Sequence, residues 1–492
     1  MATETEIKLS LSARAASQLA KHRLLAGSAS HRQLLVNTYY DTPDTRLRHE
    51  RIVVRHRLKG SEWLLTVKTV AVLTGGLAQR GEWEVPGRPG AFDFSHVDNC
   101  LLRDLLESIR HELRPIFTTR FTRQSWLLEP RAGVRIELAL DRGRIEAQDR
   151  RRTICEVELE LLAGTVNELF LIASELQATL PLHPEVSSKS DRAYRLLANA
   201  PLAAVKAQLV PVEAGMPPIA AFRLIALCCL HHLQCNEEGV CESDLPEFVH
   251  QARVAIRRLR SAIGLWKPLL PGSFVACFDP LWQELATKLG DARNWDVFIS
   301  ETLPGLSVVF SDRVVIDRLS DHALRRCINS RRAARSALKS VDYWRLLTDF
   351  ASAVLGLPES GPGRLEEFVP GCLKKRVKRV NERAPKALAG DAEERHRLRV
   401  AFKQLRYALE FFTPILAGSA LASYHQSATS LQEVLGRLND LSVASQMTAL
   451  VLPGKPGEEV RSWLAGQIES LRPEFATLLG EFQLQAAPWK PS

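Results

Sequence analysis

Glu4-Thr5-Glu6-Ile7-Lys8-Leu9 decides how the first half of the chain is read. In a strand, alternate residues point to opposite faces, so Glu4, Glu6 and Lys8 share one face while Ile7 and Leu9 share the other. Carboxylates two positions apart lie roughly 7 Å from each other, close enough to share a hard divalent cation or to flank a pair. Taken alone, such a strand usually has one wet face and nothing more. The reading therefore turns on whether later strands repeat the peculiarity.

They do. After a helix capped by Ser12 and running to about Leu25, Leu34 to Tyr40 leads into Tyr39-Tyr40-Asp41-Thr42. Ile52 to Leu58 puts Arg55 and Arg57 on one face, and Trp63 to Thr69 puts Thr66 with Lys68. A Gly75-Gly76 turn precedes Arg80 to Val85, where Glu82 and Glu84 oppose Trp83 and Val85. A helix is expected from about Val97 to Leu113, and the strand Ile116 to Leu128 follows with Arg120 and Arg123. Val134 to Leu140 sets Glu137 and then Asp141 opposite Val134, Ile136, Leu138 and Leu140. Cys155 to Leu161 carries Glu156, Glu158 and Glu160 on one face, and a helix from Thr165 to about Leu180 precedes Ser188-Lys189-Ser190-Asp191. Three successive carboxylates repel one another unless cations lie between them. Curled into a barrel, these strands enclose a polar tunnel with acidic and basic walls, and helices cover the apolar outer faces.

This ordered set resembles the CYTH domain of the triphosphate tunnel metalloenzymes over roughly residues 3–197. The resemblance implies an antiparallel tunnel of about eight strands that binds a triphosphate and a divalent metal. Lys8, Arg55, Arg57, Lys68, Arg120, Arg123 and Lys189 are then the substrate-binding candidates, since their donors suit phosphate oxygens. The spacing of Arg120 and Arg123 places them on opposite faces of a regular strand. Glu4, Glu6, Glu156, Glu158 and Glu160 supply oxygen ligands for Mg²⁺ or Mn²⁺, and Glu137, Asp141 and Lys8 are the catalytic candidates. No Walker A, HExxH or GxSxG sequence occurs.

Pro201, Pro211, Pro217 and Pro218 mark a linker over 201–218, dividing a first domain (1–200) from a second (219–485). Beyond the linker the apolar period changes from two to about 3.6. His250, Arg253, Arg257 and Arg260 recur, 146 residues on, as His396, Arg399, Lys403 and Arg406. Such an internal repeat reads as two related helical bundles, each carrying a His and three cations on one helix face. The segments around these stripes, with Leu289 to Val297 and Leu431 to Asp440, resemble the CHAD domain. That resemblance implies two pseudo-symmetric four-helix bundles whose basic surface binds inorganic polyphosphate through those eight residues. Asn294 stands where that family often has Asp after Arg293, and is read as structural rather than ligand-binding.

The expected fold class is α+β for the tunnel with its covering helices, followed by an all-α domain. The chain has 492 residues, with 46% hydrophobic and 25% charged, enough for two sizeable cores. Its formal charge of +9 suits polyanionic partners. Nucleic acid is disfavoured, because the basic stripes lack interleaved aromatics for stacking. Nine scattered cysteines without a CxxC pair fit a reducing compartment. No leader is read before Glu4, and Arg223 interrupts the apolar run from Ile219 to Leu230. The expectation is a soluble, cytoplasmic inorganic triphosphatase with no membrane partner, with association to polyphosphate granules open. Two alternatives remain at this stage: a CYTH enzyme acting on thiamine triphosphate or ATP, and a non-catalytic polyphosphate-binding protein.

Overall fold

The period-two stretches form antiparallel strands: β1 (Ala2–Ser10), β2 (Ser30–Asp41), β3 (Val53–Lys59), β4 (Glu62–Lys68), β5 (Val72–Thr74), β6 (Leu77–Pro86), β7 (Arg114–Leu128), β8 (Arg135–Ala147), β9 (Arg150–Ala163) and β10 (His183–Pro184). This is a computed structural model describing residues 2–69, 72–74, 77–358, 363–416, 419–485, 487 and 489; the expected Gly75-Gly76 turn lies outside the described residues. Eight strands run in the order β1-β9-β8-β7-β2-β3-β4-β6, and β1 pairs with β6 to close them into a barrel. Closure joins the two ends of the eight-strand order and turns the charged residues of β1, β3, β4, β6 and β9 toward the interior.

Register then fixes which charges meet. Glu6 stands opposite Glu160 and Lys8 opposite Glu158 across β1 and β9. Glu137 stands opposite Glu160 across β8 and β9, and Lys68 opposite Glu82 across β4 and β6. Outside the barrel, Leu102, Leu106 and Ile109 of the helix Cys100–Ile109 pack on Val54, Leu65, Val67 and Trp83. A helix not expected from the sequence, Lys189–Ala198, begins at a capping box of Ser188 with Asp191. Its Ala193 and Tyr194 pack among Leu35, Tyr39, Phe117 and Phe121, on the same face that lines the tunnel.

The chain divides into two units: Met1–Ala203 with Lys339–Gly356, and Ala204–Leu338 with Leu357–Ser492. By packing, the helix Val341–Leu355 thus groups with the barrel unit, although it falls within the stretch of sequence read as the second domain. Its buried face carries Leu347, Phe350, Ala351 and Val354. Polar contacts fix it: Arg345 donates to the Gln177 carbonyl at 2.8 and 3.1 Å, and the Ser174 hydroxyl donates to Asp349 at 2.8 Å. The expected linker is also no free tether. Val210 and Val212 are buried, and the Val205 backbone N–H donates to Asn236 Oδ1 at 3.0 Å.

In the second unit, Pro218–Glu242, Pro246–Trp266, Gly272–Val297 and Arg313–Leu338 form one four-helix bundle. Leu365–Ala389, Ala392–Phe412, Ser419–Val451 and Lys455–Leu484 form the other. The repeated helices Pro246–Trp266 and Ala392–Phe412 match end for end and pack against each other. Pro218–Glu242 is long and apolar enough to cross a membrane by length and composition, contrary to the sequence reading. Two-thirds of its apolar window is buried, as a core helix requires.

Candidate functional site

The inward faces of the barrel enclose a cavity of about 620 Å³. Glu4, Glu6 and Lys8 from β1, Arg55 and Arg57 from β3, and Lys68 from β4 all line it. So do Arg123, Glu137, Glu158 and Glu160 from β7 to β9, and Lys189 from the capped helix. Three predicted residues lie elsewhere. Arg120 is exposed on the outer face of β7, as its odd spacing from Arg123 requires, and is dropped from the substrate set. Asp141 and Glu156 are fully buried and outside the lining.

Asp141 accepts two bonds from Arg123 at 2.8 and 2.7 Å and one from Lys189 at 2.7 Å. Glu156 is held by Lys189 at 2.5 Å and by Arg192. With Glu158 these carboxylates lie close enough together to hold a metal ion. Basic side chains meet all three, Lys189 being shared among them and Arg123 joining Asp141 to Glu158. Burial alone would raise the Glu156 and Glu158 carboxyls, but Lys189 with Arg192 or Arg123 outweighs it and holds both below the usual carboxylate range. Lys189 loses by burial but gains more from Asp141, Glu156 and Glu158, so it stays firmly charged.

The acidic wall is different. Glu4 is bonded by Lys68 at 2.8 Å and by Arg80 at 2.6 Å, while Glu6 is bonded by Lys8 at 2.7 Å and by Arg80 at 2.5 Å. Glu160 faces that pair from β9. Burial, then repulsion from Glu4 and Glu6, pushes its carboxyl up to about 7, Lys68 compensating only in part. On the basic wall the mismatch has the opposite sign. Burial, then repulsion from Arg55 and Arg123, brings Arg57 down to about 10. Nε and one terminal nitrogen of Arg55 are buried without a hydrogen-bond partner, and Glu82 stands 3.7 Å off. One wall thus crowds carboxylates and the other crowds guanidinium groups, with Glu82 and Glu84 standing 3.7 Å from Arg55 and Arg57.

Arg80 and Tyr39 are among the lining residues to which the sequence reading gave no role in the site. Arg80 shares the inward face of β6 with Glu82 and Glu84, so the same alternation would have found it. Tyr39 is buried, and burial would raise its phenol, but Arg55, Lys189 and Arg57 reverse the shift.

In the helical unit, His250, Arg253, Arg257, Arg399 and Lys403 converge on a smaller pocket of about 120 Å³. Arg293, Asn294 and Asp440 join them, so Asn294 is a pocket residue and not merely structural. Arg260, His396 and Arg406 lie outside the lining. Arg260 pairs with Asp279 at 2.9 Å, Arg406 pairs with Glu410, and His396 meets Asn439 at 2.9 Å on the surface. Burial, then Arg257 and Arg399, brings Arg253 down to about 10. Burial, then Arg293, Arg257 and Arg253, brings His250 down to about 4 and keeps it neutral. Burial and the surrounding arginines hold Lys403 well below the usual lysine range.

Two segments of the chain match known families, the second of which includes the helix Val341–Leu355. Residues 2–194 match the model of the CYTH domain and residues 225–449 that of the CHAD domain. An inorganic triphosphatase of Haemophilus influenzae is 33% identical over 200 residues, 40% of this chain and 55% of that protein. An uncharacterised protein of Mycobacterium tuberculosis is 29% identical over 215 residues, 42% of this chain and 40% of that protein. The chain spans about half the length, or less, of these curated relatives. The crystal structure of the CHAD domain from the plant Ricinus communis matches at 31% identity and a TM-score of 0.52, over 58% of this chain and 98% of that one. The barrel of charged inner walls and the paired four-helix bundles are therefore a CYTH domain and a CHAD domain, in that order along one chain.

Proposed function

We propose that the tunnel hydrolyses inorganic triphosphate to diphosphate and phosphate with Mg²⁺ or Mn²⁺, and that the helical unit binds inorganic polyphosphate. The observation that carries the first part is the opposite crowding of like charge on two walls of one cavity. A metal–triphosphate complex relieves both walls at once, and neither component alone does so. Glu4, Glu6 and Glu160 would hold the metal, with Glu137 beside them on β8. Bound there, a hard divalent cation supplies neutralisation of the triphosphate charge.

The chain's own groups do the rest. Arg55, Arg57, Arg123 and Lys189 orient the phosphate oxygens through charge-assisted bonds. Glu137 takes the proton of the attacking water as the phosphorus–oxygen bond to the departing diphosphate breaks. Lys8 and Lys68, on the same wall, would neutralise the departing oxygen.

The rings among the described lining residues are His31, Tyr39 and Phe121. Tyr39 is tied to Arg55, and Phe121 lies under Lys189 at 5.0 Å. Both are buried, which leaves no broad ring for a nucleobase or thiazolium to stack on. Phosphate release with Mg²⁺ should therefore be faster on triphosphate than on ATP, thiamine triphosphate or long polyphosphate. Faster turnover of ATP or thiamine triphosphate would overturn this assignment.

The charge mismatch has a consequence for stability. The Glu160 proton is held up to about 7 in the folded chain, above its ordinary 4.5, so ionising it costs stability as pH rises through that interval. Without metal, Glu160→Gln should stabilise the fold at pH 8 by about 1–3 kcal/mol after allowance for solvent screening, and hardly at pH 4.5. Saturating Mg²⁺ should reverse the order at pH 8. Thermal unfolding of both proteins, with and without Mg²⁺, reads this directly; equal melting temperatures in every condition would contradict the mismatch.

For the helical unit, four to five clustered cations predict a steep salt dependence. Binding of labelled long-chain polyphosphate should weaken by about 50–100-fold between 50 and 200 mM salt. Binding that is indifferent to salt would remove polyphosphate as the ligand. The nine cysteines, with no disulfide among the described residues, suit a reducing, cytoplasmic setting for both activities.

A further inference from the structure

The pocket of the helical unit is built twice over. Arg253 and Arg257 on one wall correspond, by the 146-residue repeat, to Arg399 and Lys403 on the other. Asn294 corresponds to Asp440, and Val297 to Val443, and all four line the same pocket. The cavity therefore lies between the two repeats, and each half contributes two matched cations, one amide or carboxylate, and one valine, while His250 and Arg293 come from the first half without their counterparts His396 and Asn439. A site of that symmetry fits a ligand with two equivalent halves.

Its size and charge narrow the choice. At about 120 Å³ the pocket has room for a small anion or a short piece of chain rather than for many phosphate units. Five cationic side chains, counting Arg293, face the single carboxylate Asp440. Nε atoms of both Arg257 and Arg399, one from each side, are buried without a hydrogen-bond partner. Such guanidinium donors match tetrahedral phosphoryl oxygens. A terminal phosphoryl group carries about −1.5 to −2 near neutrality, so two joined ends concentrate more charge than any two units inside a chain.

We infer that this pocket is a diphosphate site, each repeat holding one of two bridged phosphoryl groups. This rests on the reading that the helical unit binds condensed phosphate, and it narrows the unit that is recognised. The diphosphate formed in the tunnel is itself a ligand of that class, and a longer polymer would be gripped by a terminal pair of units.

The test is calorimetric titration of inorganic diphosphate into the full-length protein without metal, on an Arg55→Ala, Arg57→Ala background that weakens the tunnel. One equivalent should bind, at least tenfold more tightly than monophosphate. Arg253→Ala and Arg399→Ala, one from each half, should each weaken it by at least tenfold and by similar factors. Arg253→Lys, which keeps the charge, should recover part of the loss. Diphosphate that binds no better than monophosphate, or a loss confined to one half, overturns the inference. Labelled long polyphosphate is measured in parallel. If polymer binds through these arginines while diphosphate does not, the inference falls and the polyphosphate reading stands; if neither binds, both fall.

Discussion

Replacing Glu6 by alanine should lower metal-dependent triphosphate hydrolysis by about 10²–10³-fold, the usual loss when one preorganised electrostatic group is removed. Glu6 is buried and meets both Lys8 and Arg80, and its backbone stands opposite Glu160. Removal takes one carboxylate from the acidic wall and leaves two cations crowded where the metal is proposed to sit. Metal affinity should therefore fall together with turnover, while triphosphate binding without metal should hold or tighten, because the tunnel becomes more basic. Steady-state rates over a Mg²⁺ series, with calorimetry of metal-free triphosphate binding, separate these effects. Full activity in both Glu6→Ala and Glu4→Ala would remove β1 from the site.

Lys189→Met should destabilise the barrel by about 3–5 kcal/mol, the cost of leaving buried charges uncompensated. Lys189 Nζ lies 2.7 Å from Asp141, 2.5 Å from Glu156 and 2.8 Å from Glu158, and all four side chains are buried or nearly so. Arg123 and Arg192 remain, which cannot balance three carboxylates at the same spot. A second change that removes one of those charges, Glu156→Gln, should restore part of the loss. The pH dependence has a definite sign. Glu156 and Glu158 are held below the ordinary carboxylate value of 4.5, so their contribution is present above it and is lost as pH falls further. Lys189 is held above its ordinary 10.5, so its contribution is complete below that value. A melting temperature for Lys189→Met that is unchanged at pH 7 would show that the cluster is not held together by this lysine.

The barrel was legible because its signal has the shortest period. A charge at every second residue of β1, β3, β6 and β9 identifies both the strands and their inner faces. What alternation does not report is depth along a strand. Glu156, Glu158 and Glu160 look equivalent in sequence. In the structure Glu156 is sealed under Lys189, Glu158 is shared by Lys189 and Arg123, and Glu160 faces carboxylates. That gradient arises from register with β1 and β8, which no local pattern encodes. Asp141, read as a catalytic group, is likewise buried beneath the tunnel lining, a depth the alternation does not show.

In the helical half, a face of charges was visible but its partners were not. Arg260 and Arg406 share the helix faces of Arg253 and Arg399, yet Asp279 and Glu410 engage them. The repeat itself was plain, whereas the convergence of its two stripes on one pocket depends on how the two bundles pack. The packing of the helix Val341–Leu355 with the barrel unit was not legible because an amphipathic pattern states that a face will be buried, not which surface will bury it.

The most direct test of the central claim is to follow triphosphate by ³¹P NMR in the presence of the full-length protein, with Mg²⁺ and then with the metal chelated. The account predicts equal amounts of diphosphate and phosphate with Mg²⁺ and none after chelation. Cleavage that persists without metal, or no cleavage with either Mg²⁺ or Mn²⁺, would contradict it.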